Sequence, residues 1–307
     1  MDYPGTWRKF VAWFPDDPAC AAYLERLRWP EGFLCPGCGS SKGWRTSKGP
    51  WACGGCGRKV SVTAGTIFHR TRTPLQTWFA AVWYVTNQKY GVSALGLQGV
   101  LGLGSYQTAW TMLHRLRSAM VRPGRNRLAG DVEVDETYVG GTAHGGKRGR
   151  GAERKSLVVI AVEVLSPKGF GRVRMRHVPD ASGASLVPFV CDAVEPGSVV
   201  LTDGWDGYNA LPRHGYTRRI TVLSAGGDPA HVSIPAVHRV ASLLKRWLLG
   251  THQGSVRPAH LQAYLDEFTF RFNRRTSRRR GLLFYRLLEQ AVATDPAPYR
   301  SIVGTAP

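Results

Sequence analysis

The chain has 307 residues, with 41 Lys and Arg against 21 Asp and Glu and a net charge of +20. A hydrophobic fraction of 43% is that of a globular protein and excludes a wholly disordered chain. The charge points to a polyanionic partner, nucleic acid ahead of an anionic membrane surface, and no apolar run reaches the roughly 18 residues of a membrane span.

Residues 6–29 read as helical, with Trp, Phe and Leu three or four apart and a break at Asp16, Asp17 and Pro18. The first residues, MDYPGTWRKF, have no signal-peptide core, so the expected setting is a reducing, cytoplasmic one near the nucleoid, with no membrane partner. Two C-x-x-C pairs follow, CPGC at 35–38 and CGGC at 53–56. Tight Gly- or Pro-bearing turns aim Cys35, Cys38, Cys53 and Cys56 at one point, the spacing of a four-thiolate zinc site. A disulfide framework is the alternative, and it suits secreted proteins. Four thiolates close the tetrahedron, so the expected Zn²⁺ is structural and supplies folding energy to a module too small for a core of its own. The segment WRTSKGPWAC (44–53) supplies two short strands and a turn. Lys42, Arg45, Lys48, Arg58 and Lys59 surround the site and suit a nucleic-acid contact or an ordinary solvated face. Cys20 and Cys191 read as small buried residues.

From Pro74, PLQTWFAAVWYVTNQ has a wide apolar helical face. Next, Ser93 caps a helix that turns Leu95, Leu97 and Val100 inward, Gly102 and Gly104 make a turn, and Ser105 caps a second helix with Ala109, Met112, Leu113 and Leu116 inward. Helix, glycine turn, helix is the helix-turn-helix outline, and a plain helical hairpin fits it too. In the first case Tyr106, Gln107 and Thr108 meet base edges, and Arg115 and Arg117 lie exposed at the far end.

After a basic linker (122–128) the periodicity turns to alternation at 131–139, 156–165, 170–178, 198–204 and 217–223, with helices near 182–194, 235–249 and 259–273. That order gives a mixed α/β domain. The Gly- and Arg-rich 140–155 is a hairpin loop or a DNA-contacting arm.

Four of the scarce carboxylates, Asp131, Glu133, Asp135 and Glu136, fall within one strand. Asp131, Glu133 and Asp135 share a face, where like charges need a cation; Glu136 points the other way. A second carboxylate, Asp203, ends the apolar strand SVVLT, where α/β sheets do their chemistry, while Asp206 reads as a cap of a short helix. Paired carboxylates of this kind suit divalent cations, Mg²⁺ or Mn²⁺, and in-line displacement at phosphorus.

These residues resemble a DDE-type insertion-sequence transposase of the ISXO2-like group, with a zinc ribbon ahead of a ribonuclease-H-like catalytic domain. The likeness runs from about residue 20 to 290 through the Cys pairs, GTIF (65–68), the Trp-rich helix, VEVDETYVGG, LTDGWDGYN, KRWLLGTHQG (245–254) and HLQAYLDEFTFRFNRR (260–275). It implies binding to terminal inverted repeats and to target DNA, strand cleavage and strand transfer, and catalytic roles for Asp135 and Asp203. The group's usual third residue, Glu, is replaced here by His238, with Lys245 seven residues on. His238 and Lys245 share a helix face. The imidazole could ligate an ion, Mn²⁺ better than Mg²⁺, move protons, or be structural, with Asp228 completing the site. Lys245 is expected on a phosphate, as are Arg271, Arg274 and Arg275 of the arginine-dense RFNRRTSRRR.

The expected fold is multidomain: a helical segment 1–30, the zinc ribbon 31–66, a helix-turn-helix region 67–125, an α/β ribonuclease-H-like domain with a mixed sheet 126–290, and a tail 291–307. Holding two DNA ends requires a homo-oligomer. The competing reading is a zinc-ribbon and helix-turn-helix regulator that binds DNA without cleaving it.

Overall fold

The computed structural model describes residues 2–47, 49–140, 155–165, 169–221, 234–254 and 256–304. The chain forms two compact units, Met1–Arg122 with Ser277–Pro307, and Pro123–Thr276.

In the first unit, α1 (Trp7–Trp13) and α2 (Asp17–Arg28) are separated at the expected break. Asp16 caps α2 by accepting from the Ala19 N–H at 2.8 Å, and Pro18 sits in its first turn, where its missing N–H costs nothing. The ribbon follows as β1 (Gly43–Arg45), β2 (Trp51–Cys53) and β3 (Lys59–Val60), an antiparallel sheet in that order. Its small core joins Trp29, Phe33, Cys35, Cys53 and Val60. Trp51 donates to Glu25 at 2.9 Å, which ties the ribbon to α2.

Then come α3 (Leu75–Asn87), α4 (Ala94–Leu101) and α5 (Tyr106–Ser118). Ser93 caps α4 through the Gly96 N–H at 3.0 Å, and Gly102 closes α4 in the left-handed region at φ +60°. Ser105 stands at the start of α5, but its side chain makes no cap bond there. Ala109, Met112, Leu113 and Leu116 are buried as expected. On α4 the expectation fails in part. Leu97 is buried, whereas Leu95 and Val100 are 69% and 57% exposed. Spacing of three and four marks an apolar stripe, but one short helix against its neighbours buries only the centre of it.

The helix α9 (Arg280–Ala293) packs on α2 and α3, and Phe284 meets Phe10, Phe14, Tyr23, Phe79 and Trp83 in one aromatic cluster. Residues 277–290 therefore lie with the N-terminal unit rather than with the sheet domain, where the sequence placed them.

The second unit is built on a five-stranded mixed sheet, β4 (Asp131–Val139), β5 (Ser156–Val164), β6 (Phe170–Val178), β7 (Val199–Thr202) and β8 (Thr217–Ile220), in the order β6-β5-β4-β7-β8. The first three form an antiparallel meander, and β7 and β8 run parallel to β4 and to each other. On one face α6 (Gly183–Ala193) packs with Val132, Val134, Val159 and Ala161. On the other, α7 (Pro235–His252) and α8 (Pro258–Phe272) cover Val158, Ile160 and Val162. The alternate burial of β5 explains its unbroken apolar run: helices cover both faces. Most of 140–155, the positions 222–223 and Asp228 lie outside the described residues.

Candidate active site

The sheet register brings the two aspartates together. β4 and β7 pair in parallel as Asp131 with Val199, Val132 with Val200 and Glu133 with Leu201. Asp135 lies two residues past the last of these pairs on β4, and Asp203 directly follows the end of β7 at Thr202. Asp135 is largely buried, and burial pushes its carboxyl up; the Glu136 amide and His238 oppose the shift, and Asp203 adds to it. The two carboxylates therefore feel each other.

Asp203 is pinned in a tight turn. Its Oδ1 accepts from the Trp205 N–H at 3.0 Å, and Trp205 Nε1 donates to the Ala181 carbonyl at 2.7 Å. Gly207 allows the turn to close, because a Cβ there would lie 2.7 Å from the Ala181 oxygen. Arg218 on β8 holds the same turn from the other side. It donates to Thr202 Oγ1 at 3.0 Å, to the carbonyls of Asp203 and Trp205 at 3.0 and 2.9 Å, and to Asn209 Oδ1. No sequence pattern distinguished Arg218 from the other arginines. Asp206 opens a short 3₁₀ turn and accepts from the Asn209 side chain at 3.0 Å.

His238 and Lys245 come from α7. His238 Nε2 is 3.8 Å from Asp135 Oδ2, too far for a hydrogen bond, and is buried with no hydrogen-bond partner. Two ligands at about 2.1 Å from one ion span at most about 4.2 Å, so this pair fits around a single divalent cation. Lys245, one face-repeat further on, is exposed at its residue surface, and its ammonium feels Asp135; partial burial and Lys155 lower its pKa. Among the described residues, only the four cysteines form a group of three or more metal-ligating side chains within 4.8 Å. Asp135, Asp203 and His238 do not form such a group.

The other carboxylates of β4 are spent differently. Glu133 is 4% exposed, and its Oε2 accepts from the Val237 N–H at 2.9 Å. Glu136 faces the opposite side, where its charge helps raise the pKa of the fully buried Tyr208 after burial itself. Asp131 is exposed.

At the ribbon the sulfurs of Cys35 and Cys56 are 3.7 Å apart and those of Cys38 and Cys53 are 3.5 Å apart. A tetrahedron of Zn–S bonds near 2.3 Å places sulfurs about 3.8 Å apart, so the thiolates fit zinc. Both turns have the same plan: Gly39 and Gly57, each following the second cysteine, adopt φ +71° and +69°. Backbone N–H groups in the turns lower two of the thiols, from Gly37 at Cys35 and from Cys56 at Cys53, the latter to about 6, while the neighbouring sulfurs push Cys38 up to about 12. Cys20 is buried, as expected, and burial raises its thiol to about 12.

The proposed DNA contacts divide. Tyr106 and Gln107 are exposed and Thr108 half-buried at the start of α5. Arg115 is engaged instead, donating to the Ala297 and Ile67 carbonyls at 2.9 and 3.4 Å, and Arg117 is 1% exposed. Arg271 pairs with the buried Glu267 at 2.7 Å. Arg274 stacks over Phe270 at 4.0 Å, and Arg275 stacks over Phe272 at 4.1 Å and donates to the Phe170, Gly171 and Phe272 carbonyls. Arginine count carries no information on whether a guanidinium is already partnered inside the fold. Arg45 is likewise held, by Glu25 at 3.3 Å.

Residues 127–273 match the ISXO2-like transposase domain, and residues 15–59 match the transposase zinc-ribbon domain. The chain is also 29% identical, over 280 residues, to an uncharacterized protein in the transposable element ISH50 of Halobacterium salinarum. That alignment spans 84% of this chain and 91% of the relative.

Proposed function

We propose that the chain is a transposase of the ISXO2-like kind, on the matches of residues 127–273 and 15–59, and that it binds the terminal inverted repeats of its element and catalyses metal-dependent DNA strand cleavage and strand transfer. The observation that carries the reading is the approach of His238 Nε2 to within 3.8 Å of Asp135 Oδ2, with Asp203 directly after β7, the strand parallel to β4. The meander extended by two parallel strands supports a ribonuclease-H-like domain.

Asp135 and Asp203 are the residues that would hold Mg²⁺ or Mn²⁺, with His238 completing the set. Such ions, when bound, neutralise charge on the phosphate and make water or a 3′-hydroxyl a better nucleophile. The protein's own part is positional. Burial and the strand register hold Asp135; the Trp205 amide and Arg218 hold Asp203. Lys245, exposed on α7 seven residues after His238, is assigned the contact to a non-bridging phosphate oxygen. In cleavage, a water oxygen bonds to phosphorus and the 3′-oxygen leaves, taking a proton to become a 3′-hydroxyl. In joining, that hydroxyl attacks a target phosphodiester and a second strand oxygen leaves.

The zinc ribbon and the pair α4–α5, read as a helix-turn-helix, supply recognition through Tyr106, Gln107 and Thr108. Two ends must be held at once, so the working form is a homo-oligomer. The reading is tested with a labelled duplex carrying the element's own end, in Mg²⁺ and in Mn²⁺. Nicks with 3′-hydroxyl ends, followed by joined products, support it. Specific binding with no cleavage in either metal would move the protein to the regulator class.

A further inference from the structure

We propose that Glu133 is a positioning residue for the active site, which docks the start of α7 on β4 and so sets His238 against Asp135. The proposal rests on the reading of Asp135 and His238 as catalytic.

The start of α7 is chemically incomplete. Its N-cap position is Ile234, which has no acceptor, and its first residue is Pro235. The first-turn N–H groups of a helix have no partner within the helix and need one elsewhere. Glu133 supplies it from another element: its Oε2 accepts the Val237 N–H at 2.9 Å. Burial raises its carboxyl, and the Val237 and Ala236 amides offset that only in part. A carboxylate at a helix N-terminus is further favoured by the helix dipole. Glu133 is 4% exposed, so its oxygens need the backbone donor that meets them, and removing either partner leaves a buried polar group unpaired.

The geometry couples this cap to the chemistry. Glu133 and Asp135 lie two apart on β4 and share a face. Val237 and His238 are adjacent on α7. One strand face therefore grips the helix start with residue 133 and meets the imidazole with residue 135. Val237, Val240, Ala241, Leu244 and Leu248 dock α7 on the sheet. An apolar face of that kind leaves rotation and axial slip loosely defined, and the directional bond from Glu133 removes that freedom. This gives a use to the carboxylate that strand alternation placed beside Asp135 without assigning it a ligand role.

The test compares Glu133→Gln with Glu133→Ala in the full-length zinc-loaded protein. Gln keeps an acceptor for the Val237 amide and loses the charge a metal ligand needs. The first readout is hydrogen exchange of amides 236–240, which does not depend on activity. Protection falls in Glu133→Ala and persists in Glu133→Gln. The second is Mn²⁺ binding by electron paramagnetic resonance, where Glu133→Gln binds like the wild type and Asp135→Asn binds weakly. The third is Mn²⁺-dependent nicking. Glu133→Ala slows it by about a hundredfold, the scale of a misplaced catalytic group, and adds little in a His238→Ala background. Loss of Mn²⁺ in Glu133→Gln to the same degree as in Asp135→Asn would make Glu133 a ligand and overturn the proposal. So would an undiminished effect of Glu133→Ala in the His238→Ala background. If wild type itself never nicks DNA, the catalytic reading fails, while the exchange data still decide whether Glu133 caps α7.

Discussion

His238 Nε2 lies 3.8 Å from Asp135 Oδ2, an imidazole from a helix facing a carboxylate from the central strand. The distance excludes a direct hydrogen bond and suits a shared ion. On the proposed reading, histidine can serve at the third position in place of glutamate. Imidazole favours Mn²⁺ over Mg²⁺. His238→Glu is expected to shift the metal preference of nicking toward Mg²⁺, measured as the ratio of rates in the two metals.

Arg218 ought to matter as much for activity as for stability. It donates to four groups on the turn that carries Asp203. Arg218→Lys keeps the charge but not the planar fork of donors. Nicking should fall by at least about tenfold, and urea unfolding should show a loss of about 1–3 kcal/mol. Unchanged nicking would mean that the turn holds itself.

The zinc site makes a local prediction. The chain should bind one zinc at Cys35, Cys38, Cys53 and Cys56, countable by atomic absorption. Cys38→Ser, or chelation, should abolish end binding and deprotect the ribbon strands in hydrogen exchange. The β4–β8 sheet belongs to the other compact unit and should keep its protection. Loss of protection across both units would show that zinc stabilises more than the ribbon.

Arg271 is expected to act on stability rather than on DNA. Its side chain is 13% exposed and pairs with Glu267, whose side chain is 0% exposed. Arg271→Ala removes the guanidinium from a buried carboxylate and should cost about 3–5 kcal/mol in denaturant titrations. A true phosphate contact would instead lower the salt slope of DNA binding by about 0.9. That slope should not change in a folded Arg271→Gln protein, which lacks the charge.

Glu163 gives a pH dependence with a defined sign. Its carboxylate receives the Arg172 side chain at 2.5 Å, the Arg172 N–H at 2.8 Å and the Ala129 N–H at 3.2 Å. Burial raises its pKa, but the Arg172 donors and charge outweigh it, so the net shift is downward. A depressed folded pKa means stability that is present above the unfolded value and lost as pH falls through the folded one. Thermal unfolding below about pH 4.5 should therefore separate wild type from Glu163→Gln less than unfolding at pH 7 does. Arg172 is 39% exposed, so solvent screening keeps the difference at pH 7 to about 1–2 kcal/mol.

What was legible in the sequence follows from how local each signal is. Four cysteines that must share one ion need fixed spacing, and CPGC and CGGC show it directly. Asp135 is visible because its strand announces itself by alternation, and Asp203 because it ends the apolar run SVVLT. Their offset of 68 is the same as that of the pairs Asp131–Val199 and Glu133–Leu201, so the parallel pairing of β4 with β7 carries the two local motifs to the same end of the sheet. Side-chain partnership was not legible. Arg115, Arg271 and Arg275 read as DNA ligands by composition, yet their donors meet carbonyls and a carboxylate that are distant in sequence or hidden by folding. The return of α9 to the N-terminal unit was also invisible. An amphipathic stripe says that a helix must be covered, not by what. Only the fold shows that a Cβ at Gly281 would lie 2.0 Å from the Pro4 carbonyl oxygen.

The central claim is that Asp135 and Asp203 are the catalytic carboxylates of a DNA-cleaving site. The most direct measurement is Mn²⁺-dependent nicking of a labelled duplex bearing the element's end by wild type, Asp135→Asn and Asp203→Asn, with folding of each checked by circular dichroism. The account predicts metal-dependent nicks by wild type and losses of at least about a thousandfold in both folded variants, of the order seen when one essential transition-state contact is removed. Nicking that survives either substitution would contradict it.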